Sequence, residues 1–270
     1  YSGDVDAVKF FFFFHKDEKS NILSDVTPID LTHFNKDLLS PLHLAVHLNN
    51  IHIVKALLDA GLDANILGKY KETPLMYATR ANNAEMIDIL LHHNKENAAN
   101  INQRNREGLT PLMLAAQNKD RVESFYMLLK SGAEIMMKDY EGRNAFMHAA
   151  NNNCSHYMDT LIKRADNNML NMVNNQDKNG VSTMMIVAKR GNRQALRVLI
   201  SRGANVFLKD NHGKTALDYA IKAENPTCKE ILVKTYKIYE NSKEIQDELQ
   251  REKFLENNLG EFGKQNRVQN

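Results

Sequence analysis

Along most of the chain, apolar residues come in short paired bursts separated by polar turns, and the pair repeats. Each unit opens on a small polar residue, then Pro or a substitute, two apolar positions and an alanine-rich end. It reads Ser40-Pro41-Leu42-His43-Leu44-Ala45-Val46, then Thr73-Pro74-Leu75-Met76-Tyr77-Ala78-Thr79, then Thr110-Pro111-Leu112-Met113-Leu114-Ala115-Ala116. Looser copies begin at Asn144, Ser182 and Thr215. A small polar residue before proline predicts a helix N-cap with proline at the first helical position. A second burst at helical spacing follows, as in Ile53-Val54-Leu57-Leu58, Met86-Ile87-Leu90-Leu91, Val122-Phe125-Leu128-Leu129 and Leu196-Val198-Leu199-Ile200. Gly61, Gly132 and Gly203 close these second helices, because glycine enters the left-handed region without a steric penalty. Gly108, Gly142, Gly180 and Gly213 stand two residues before a signature and predict the turn of a hairpin. Leu38 and Lys71 replace that glycine in the first two full units, which predicts altered hairpins there.

The period of the signature is about 33 residues, lengthened in two places. With its T-P-L-H-like core, the pattern resembles the ankyrin repeat family over residues 1–234. The resemblance implies an all-α fold, an ankyrin repeat solenoid of stacked helix pairs with projecting β-hairpins. A single helix pair cannot bury both its faces, so such a fold is held together by the interfaces between neighbouring repeats. The expected organisation is a truncated first repeat at 1–14, an inserted loop at 15–37, six repeats at 38–234, and an amphipathic helix with a polar tail at 235–270. The run Phe10–Phe14 covers every face of a helix. It either packs under the insertion or under chain outside this sequence, or serves as an exposed anchor. Smaller insertions near His93–Ala99 and Asn167–Val173 are expected to be surface loops.

Composition narrows the function. Lys+Arg 35 against Asp+Glu 33 gives a formal charge of +2, which disfavours a general nucleic-acid binder. Cys 2 in 270 residues excludes a disulfide framework. The Phe-rich stretch is interrupted by Lys9 and too short to cross a membrane. The many asparagines read as a compositional bias and not as a mechanism. The chain begins at Tyr1 and is read as a fragment or a trimmed chain.

Catalytic and metal motifs fail on inspection. Gly213-Lys214-Thr215 resembles the end of a phosphate-binding loop, but Leu208 stands where that loop needs glycine. His43 and His47 share a helix face, yet no third ligand is spaced to complete a zinc site. His43 occupies the family's signature histidine, which the resemblance assigns to hydrogen bonding within the repeat. Cys154 and Cys228 read as buried small hydrophobes, and the sequon Asn153-Cys154-Ser155 as chance. No enzyme, cofactor or metal is expected.

The resemblance places binding on the hairpin tips and on the inner face of each first helix. Mapped onto this chain, the partner-binding candidates are Tyr70, Arg80, Arg106, Tyr140, Arg143, Lys178, Lys189, Arg190, Lys214 and Lys222. The set is rich in cations although the chain is near neutral, and it adds two tyrosines of the type enriched in interface cores. The expectation is a cytoplasmic, non-enzymatic scaffold that binds a protein partner on its concave face, with an acidic or phosphorylated segment as the natural complement. No membrane insertion, nucleic acid or small-molecule substrate is expected. The alternative is a recognition module of a larger enzyme, channel or host-directed effector, or a structural subunit of a large cytoskeletal assembly.

Overall fold

The computed structural model describes Asn35, residues 38–243 and Gln246. The expectations for residues 1–14, for Phe10–Phe14, for nearly all of 15–37 and for the far tail lie outside the described residues. Within them the helices come in pairs: α1 (Pro41–His47) with α2 (Ile51–Asp59), α3 (Pro74–Arg80) with α4 (Ala84–His92), and α5 (Pro111–Ala116) with α6 (Val122–Lys130). Next come α7 (Ala145–Asn151) with α8 (Ser155–Arg164), the short α9 (Met169–Val173), and α10 (Thr183–Arg190) with α11 (Arg193–Ser201). The last pair is α12 (Ala216–Lys222) with α13, residues 226–243. First helices stack on first helices in order, α1 on α3, α5, α7, α10 and α12, so the chain is a helical solenoid.

The signature residues do what their chemistry suggests. Ser40, Thr73, Thr110, Asn144, Ser182 and Thr215 each cap a first helix by accepting the backbone N–H three residues on. The apolar positions that follow are buried, including Leu42, Leu75, Leu112, Phe146 and Met184. Met76, Met113, Met147 and Met185 fill the step between first helices that His43 fills in the first repeat.

The hairpins are tight turns organised by one side chain each. Asn105, Asp139, Asp177 and Asp210 use Oδ1 to accept the backbone N–H groups two and four residues on, at 2.8–2.9 Å. Successive tips are then tied by backbone bonds. Arg106 N–H donates to Tyr70 O at 2.8 Å, Tyr140 to Glu107 O at 3.1 Å, Lys178 to Glu141 O at 2.8 Å and Asn211 to Asn179 O at 2.9 Å. Strand pairing among the described residues amounts to isolated bridges, Lys138 with Asn144 and Gln176 with Ser182. Where glycine is replaced, the backbone still turns left-handed, with φ 59° at Leu38 and 57° at Lys71, and Lys69–Lys71 tightens into one 3-10 turn.

Two expectations change. The asparagines are not a passive bias, because many of them link adjacent repeats. Asn65 Nδ2 donates to Ala98 O, Asn175 Nδ2 to Gly142 O and Asn225 Nδ2 to Ala188 O, while Asn82, Asn102 and Asn174 accept backbone N–H groups from the following repeat. A short amide carries both a donor and an acceptor, which suits the polar seams between stacked units. The stretch Asn167–Val173 is also not a plain loop: Met172 and Val173 are buried, and their burial pins α9 against the stack. Helix α13 runs through residues 234 and 235 without a break.

Candidate interaction surface

The hairpins and the ends of the first helices meet through their side chains, and the register of the repeat fixes which ones. Thr73 caps α3, and Glu72, one residue before it, reaches Arg80, seven residues after it. Arg80 donates from Nη2 to Glu72 Oε1 at 2.6 Å and from Nε to Oε2 at 3.3 Å. The position before the cap and the position seven after it are therefore neighbours. Glu72 is buried, and its backbone carbonyl accepts His43 Nε2 at 3.0 Å, while His43 Nδ1 meets the Ser40 hydroxyl at 2.8 Å. The signature histidine thus bonds within its own repeat and also bridges to the next. Both its ring nitrogens are engaged.

A second buried carboxylate lies further along. Asp139 Oδ2 accepts Arg143 Nε and His148 Nε2, both at 2.9 Å. In the last repeat, Asp210 Oδ2 instead accepts the Tyr219 hydroxyl at 2.8 Å. Burial alone would raise Asp139, but the bonds from His148 and the Arg143 backbone, with the charges beside them, outweigh it and hold its carboxyl below the usual carboxylate value. Asp210 behaves alike through Lys214 N–H and Tyr219. Burial first, then Asp210, pushes the Tyr219 hydroxyl up to about 12.

The ten candidates separate into two kinds. Arg80 and Arg143 are held by internal acids, Glu72 and Asp139. Tyr70 and Tyr140 are exposed at hairpin tips, with the Lys69 ammonium 5.4 Å from one ring centroid and the Arg104 guanidinium 5.9 Å from the other. Arg106, Lys178, Lys189, Arg190, Lys214 and Lys222 are exposed, and no ion pair joins them to a carboxylate among the described residues. Arg190 donates Nη2 to Asn151 Oδ1 at 2.9 Å, across the preceding repeat boundary. Sequence reasoning missed Glu72, Asp139, His148 and Tyr219 as the groups that decide which cations are available. The available signal was the acid or amide five residues before the caps Thr110, Asn144, Ser182 and Thr215, and for Glu72 an acid directly before its cap.

The Cys154 and Cys228 thiols are buried, and burial raises both, which removes thiolate character. Among the described residues no three His, Cys, Asp or Glu are grouped to hold a metal ion, and no helix is long and apolar enough to cross a membrane.

The buried ionisable groups predict a pH dependence. Burial lowers His43 more than the Glu72 carbonyl and charge raise it, so the native state holds the imidazole neutral. An unfolded histidine titrates near 6.5, so between that value and its lower folded value the unfolded chain binds the extra proton. Stability is expected to fall as pH drops below about 6.5, by at most about 1.4 kcal/mol per pH unit for this one group. The depressed Asp139 adds a second loss below about 3.9. Urea midpoints measured across this range, with His43→Gln expected to flatten the upper limb, check the assignment. An unchanged limb in that variant would remove His43 from the account.

The family model described as Ankyrin repeats (3 copies) matches residues 1–105, 42–139, 95–171 and 146–244. The chain is 31% identical over 179 residues to the B-cell lymphoma 3 protein homolog of Mus musculus, covering 66% of this chain and 39% of that protein. It is 30% identical over 199 residues to Palmitoyltransferase AKR1 of Lachancea kluyveri, covering 71% of this chain and 26% of that protein. Among solved structures, the ankyrin repeat domain of Bcl-3, a member of the IkappaB protein family, aligns with a TM-score of 0.64 and 26% identity, covering 86% of this chain and 93% of that one. A chain in the structure of Bd0816 Predatory Endopeptidase from Bdellovibrio bacteriovorus in complex with immunity protein Bd3460 aligns with a TM-score of 0.62 and 29% identity, covering 75% of this chain and 99% of that one. The chain spans about two fifths or less of the curated relatives named, 39% and 26%.

Proposed function

Because the chain belongs to the ankyrin repeat family, whose repeats are protein-interaction modules, we propose that it is a non-enzymatic scaffold that holds an acidic segment of a partner protein on the concave face of its last two repeats. One observation carries this reading. Lys178, Lys189, Arg190, Lys214 and Lys222 are exposed and in no ion pair with a carboxylate among the described residues, whereas Arg80 and Arg143 in earlier repeats are paired with Glu72 and Asp139. Unpaired exposed cations on one face raise association rates with an anionic segment and fix its register. The tyrosines at the tips, Tyr70 and Tyr140, offer aromatic contact area further along the same rim.

Lys189→Glu/Arg190→Glu is expected to abolish capture of the native partner by the full chain, a loss of about a hundredfold or more in affinity, with unchanged far-ultraviolet circular dichroism. Pull-down from native lysate beside the wild-type chain, followed by titration of the captured protein, measures it. Equal affinity in both would move the site off this face. A second reading rests on length: since the chain spans 39% and 26% of the two curated relatives named above, it also fits a recognition module inside a longer protein. In that reading the same face recruits a partner or substrate to a domain outside this sequence.

A further inference from the structure

Resting on that reading, we propose that the anion received between Lys214 and Lys222 is a phosphoryl group carried by the partner segment, with Lys189 and Arg190 completing its surroundings. The argument is one of register. Helices α3 and α12 are each seven residues long and start directly after their caps, Thr73 and Thr215. Glu72 and Arg80 stand one before and seven after the cap in one repeat, and their side chains meet at 2.6 Å. Lys214 and Lys222 hold the same two positions in the last repeat. Where the earlier repeat pairs an acid with a base, the last one sets two bases.

The other internal counter-ion is also withdrawn. Arg143, one before its cap, is neutralised by Oδ2 of Asp139. The equivalent oxygen on Asp210 is taken by the Tyr219 hydroxyl at 2.8 Å, and Oδ1 by the His212 and Lys214 N–H groups. Asp218, which feels the Lys214 charge, is committed to the capping box, with Oδ2 2.7 Å from Thr215 N and 2.8 Å from its hydroxyl. A diffuse attraction between Asp218 and Lys214 remains, without an ion pair.

The end of α10 is fixed beside this pair. Asn225 Nδ2 donates to Ala188 O at 3.1 Å and to Lys189 O at 3.0 Å, and a Cβ on Gly191 would meet Asn225 Oδ1 at 2.7 Å. The close approach seats Lys189 and Arg190 against the last repeat. Arg190 spends one nitrogen on Asn151 and keeps further N–H groups for a bidentate acceptor. Several exposed cations without an ion-paired carboxylate on adjacent repeats are better matched by a group carrying about −1.5 to −2 charges and three acceptor oxygens than by a single carboxylate.

Fluorescence anisotropy on the full chain tests this with three random-flank peptide pools whose central residue is phosphoserine, serine or glutamate. The phosphoserine pool is expected to bind at least about tenfold more tightly than the serine pool, and also more tightly than the glutamate pool. Lys214→Glu/Lys222→Glu is expected to erase that preference, and Lys214→Arg/Lys222→Arg to keep it, with folding of both checked by thermal midpoint. Equal binding of the phosphoserine and glutamate pools, both lost in Lys189→Glu/Arg190→Glu, would overturn the phosphoryl assignment and leave the acidic-segment reading standing. A preference that survives Lys214→Glu/Lys222→Glu would overturn the placement. Binding to phosphatidic-acid vesicles with no preference among peptides would assign the site to a lipid surface instead. No binding to any pool or vesicle would overturn both readings.

Discussion

Gly108→Val is expected to destabilise the chain by about 3 kcal/mol or more, while Gly61→Val costs about half of that. Both glycines sit at positive φ, 80° and 85°. A valine in either place meets the same backbone penalty of about 1–2 kcal/mol for an L-residue in the left-handed region, and more for a β-branched one. The surroundings differ. A Cβ at Gly61 meets nothing within 4 Å, whereas one at Gly108 would lie 2.6 Å from Tyr140 N and 2.8 Å from Tyr140 Cγ. That nitrogen is the donor joining the Tyr140 hairpin to Glu107 O of the hairpin before it. Valine at Gly108 must therefore push these neighbouring tips apart or shift the tyrosine, an overpacking cost of about 1–3 kcal/mol. Urea unfolding of the two variants isolates the contact between hairpins, since the backbone term cancels. Equal losses would mean that the tips are not locked together and that the spacing of groups along the rim is not fixed by this stacking.

The difference between the two glycines shows what a sequence can and cannot convey. Both are recognisable as turn positions from their distance to the next apolar burst, because a left-handed turn is a local requirement. That one is open and the other crowded depends on the neighbouring repeat. The same division runs through the binding face. The caps, the buried leucines and the solenoid follow from local chemistry and a period, so they were legible. The pairing of Arg80 with Glu72 joins a helix end to a hairpin, and the capture of Asp139 by Arg143 and His148 joins a hairpin to the first helix that follows it. Counting charges at surface positions pointed to the cations of the last two repeats but left Arg80 and Arg143 among the candidates, and only these contacts show that both are paired internally. The asparagine seams were illegible for a related reason: an amide that bridges two repeats looks, in sequence, like one that faces water. The polarity of the last repeat was legible in register. Asp218 takes the place that Met76, Met113, Met147 and Met185 fill, and Lys229 the place of Val54, Ile87 and Leu196, all of them buried. At these two positions the last described repeat is thus polar where earlier repeats bury apolar side chains.

Phe125→Ala is expected to cost about 3–5 kcal/mol and to change the form of unfolding as well as its midpoint. Phe125 of α6 and Tyr157 of α8 are fully buried and stacked, with centroids 4.0 Å apart and planes 19° from parallel. They belong to adjacent repeats, so their contact is an interface term. Removing the ring leaves a cavity beside Tyr157, whose hydroxyl is anchored to Lys119 O at 3.1 Å and Asn118 O at 3.3 Å and resists collapse into the space. Tyr157→Phe, which removes those bonds and keeps the stack, is expected to cost about 0.5–1.5 kcal/mol. In a solenoid, stability is close to a sum of repeat terms and nearest-neighbour interface terms. Weakening the boundary between the third and fourth repeats should therefore uncouple the N-terminal repeats from the C-terminal ones that carry Lys189, Arg190, Lys214 and Lys222. The check is urea unfolding followed by circular dichroism together with hydrogen exchange resolved by segment. Two separate transitions in Phe125→Ala, against a single one in the wild type and in Tyr157→Phe, are the expected outcome. If binding of the partner persists while the N-terminal half is already unfolded, the C-terminal repeats carry the site alone. If the partner is lost at the first transition, the face must be continuous across the Phe125–Tyr157 boundary, and Tyr70 and Arg106 on the far side contribute to it.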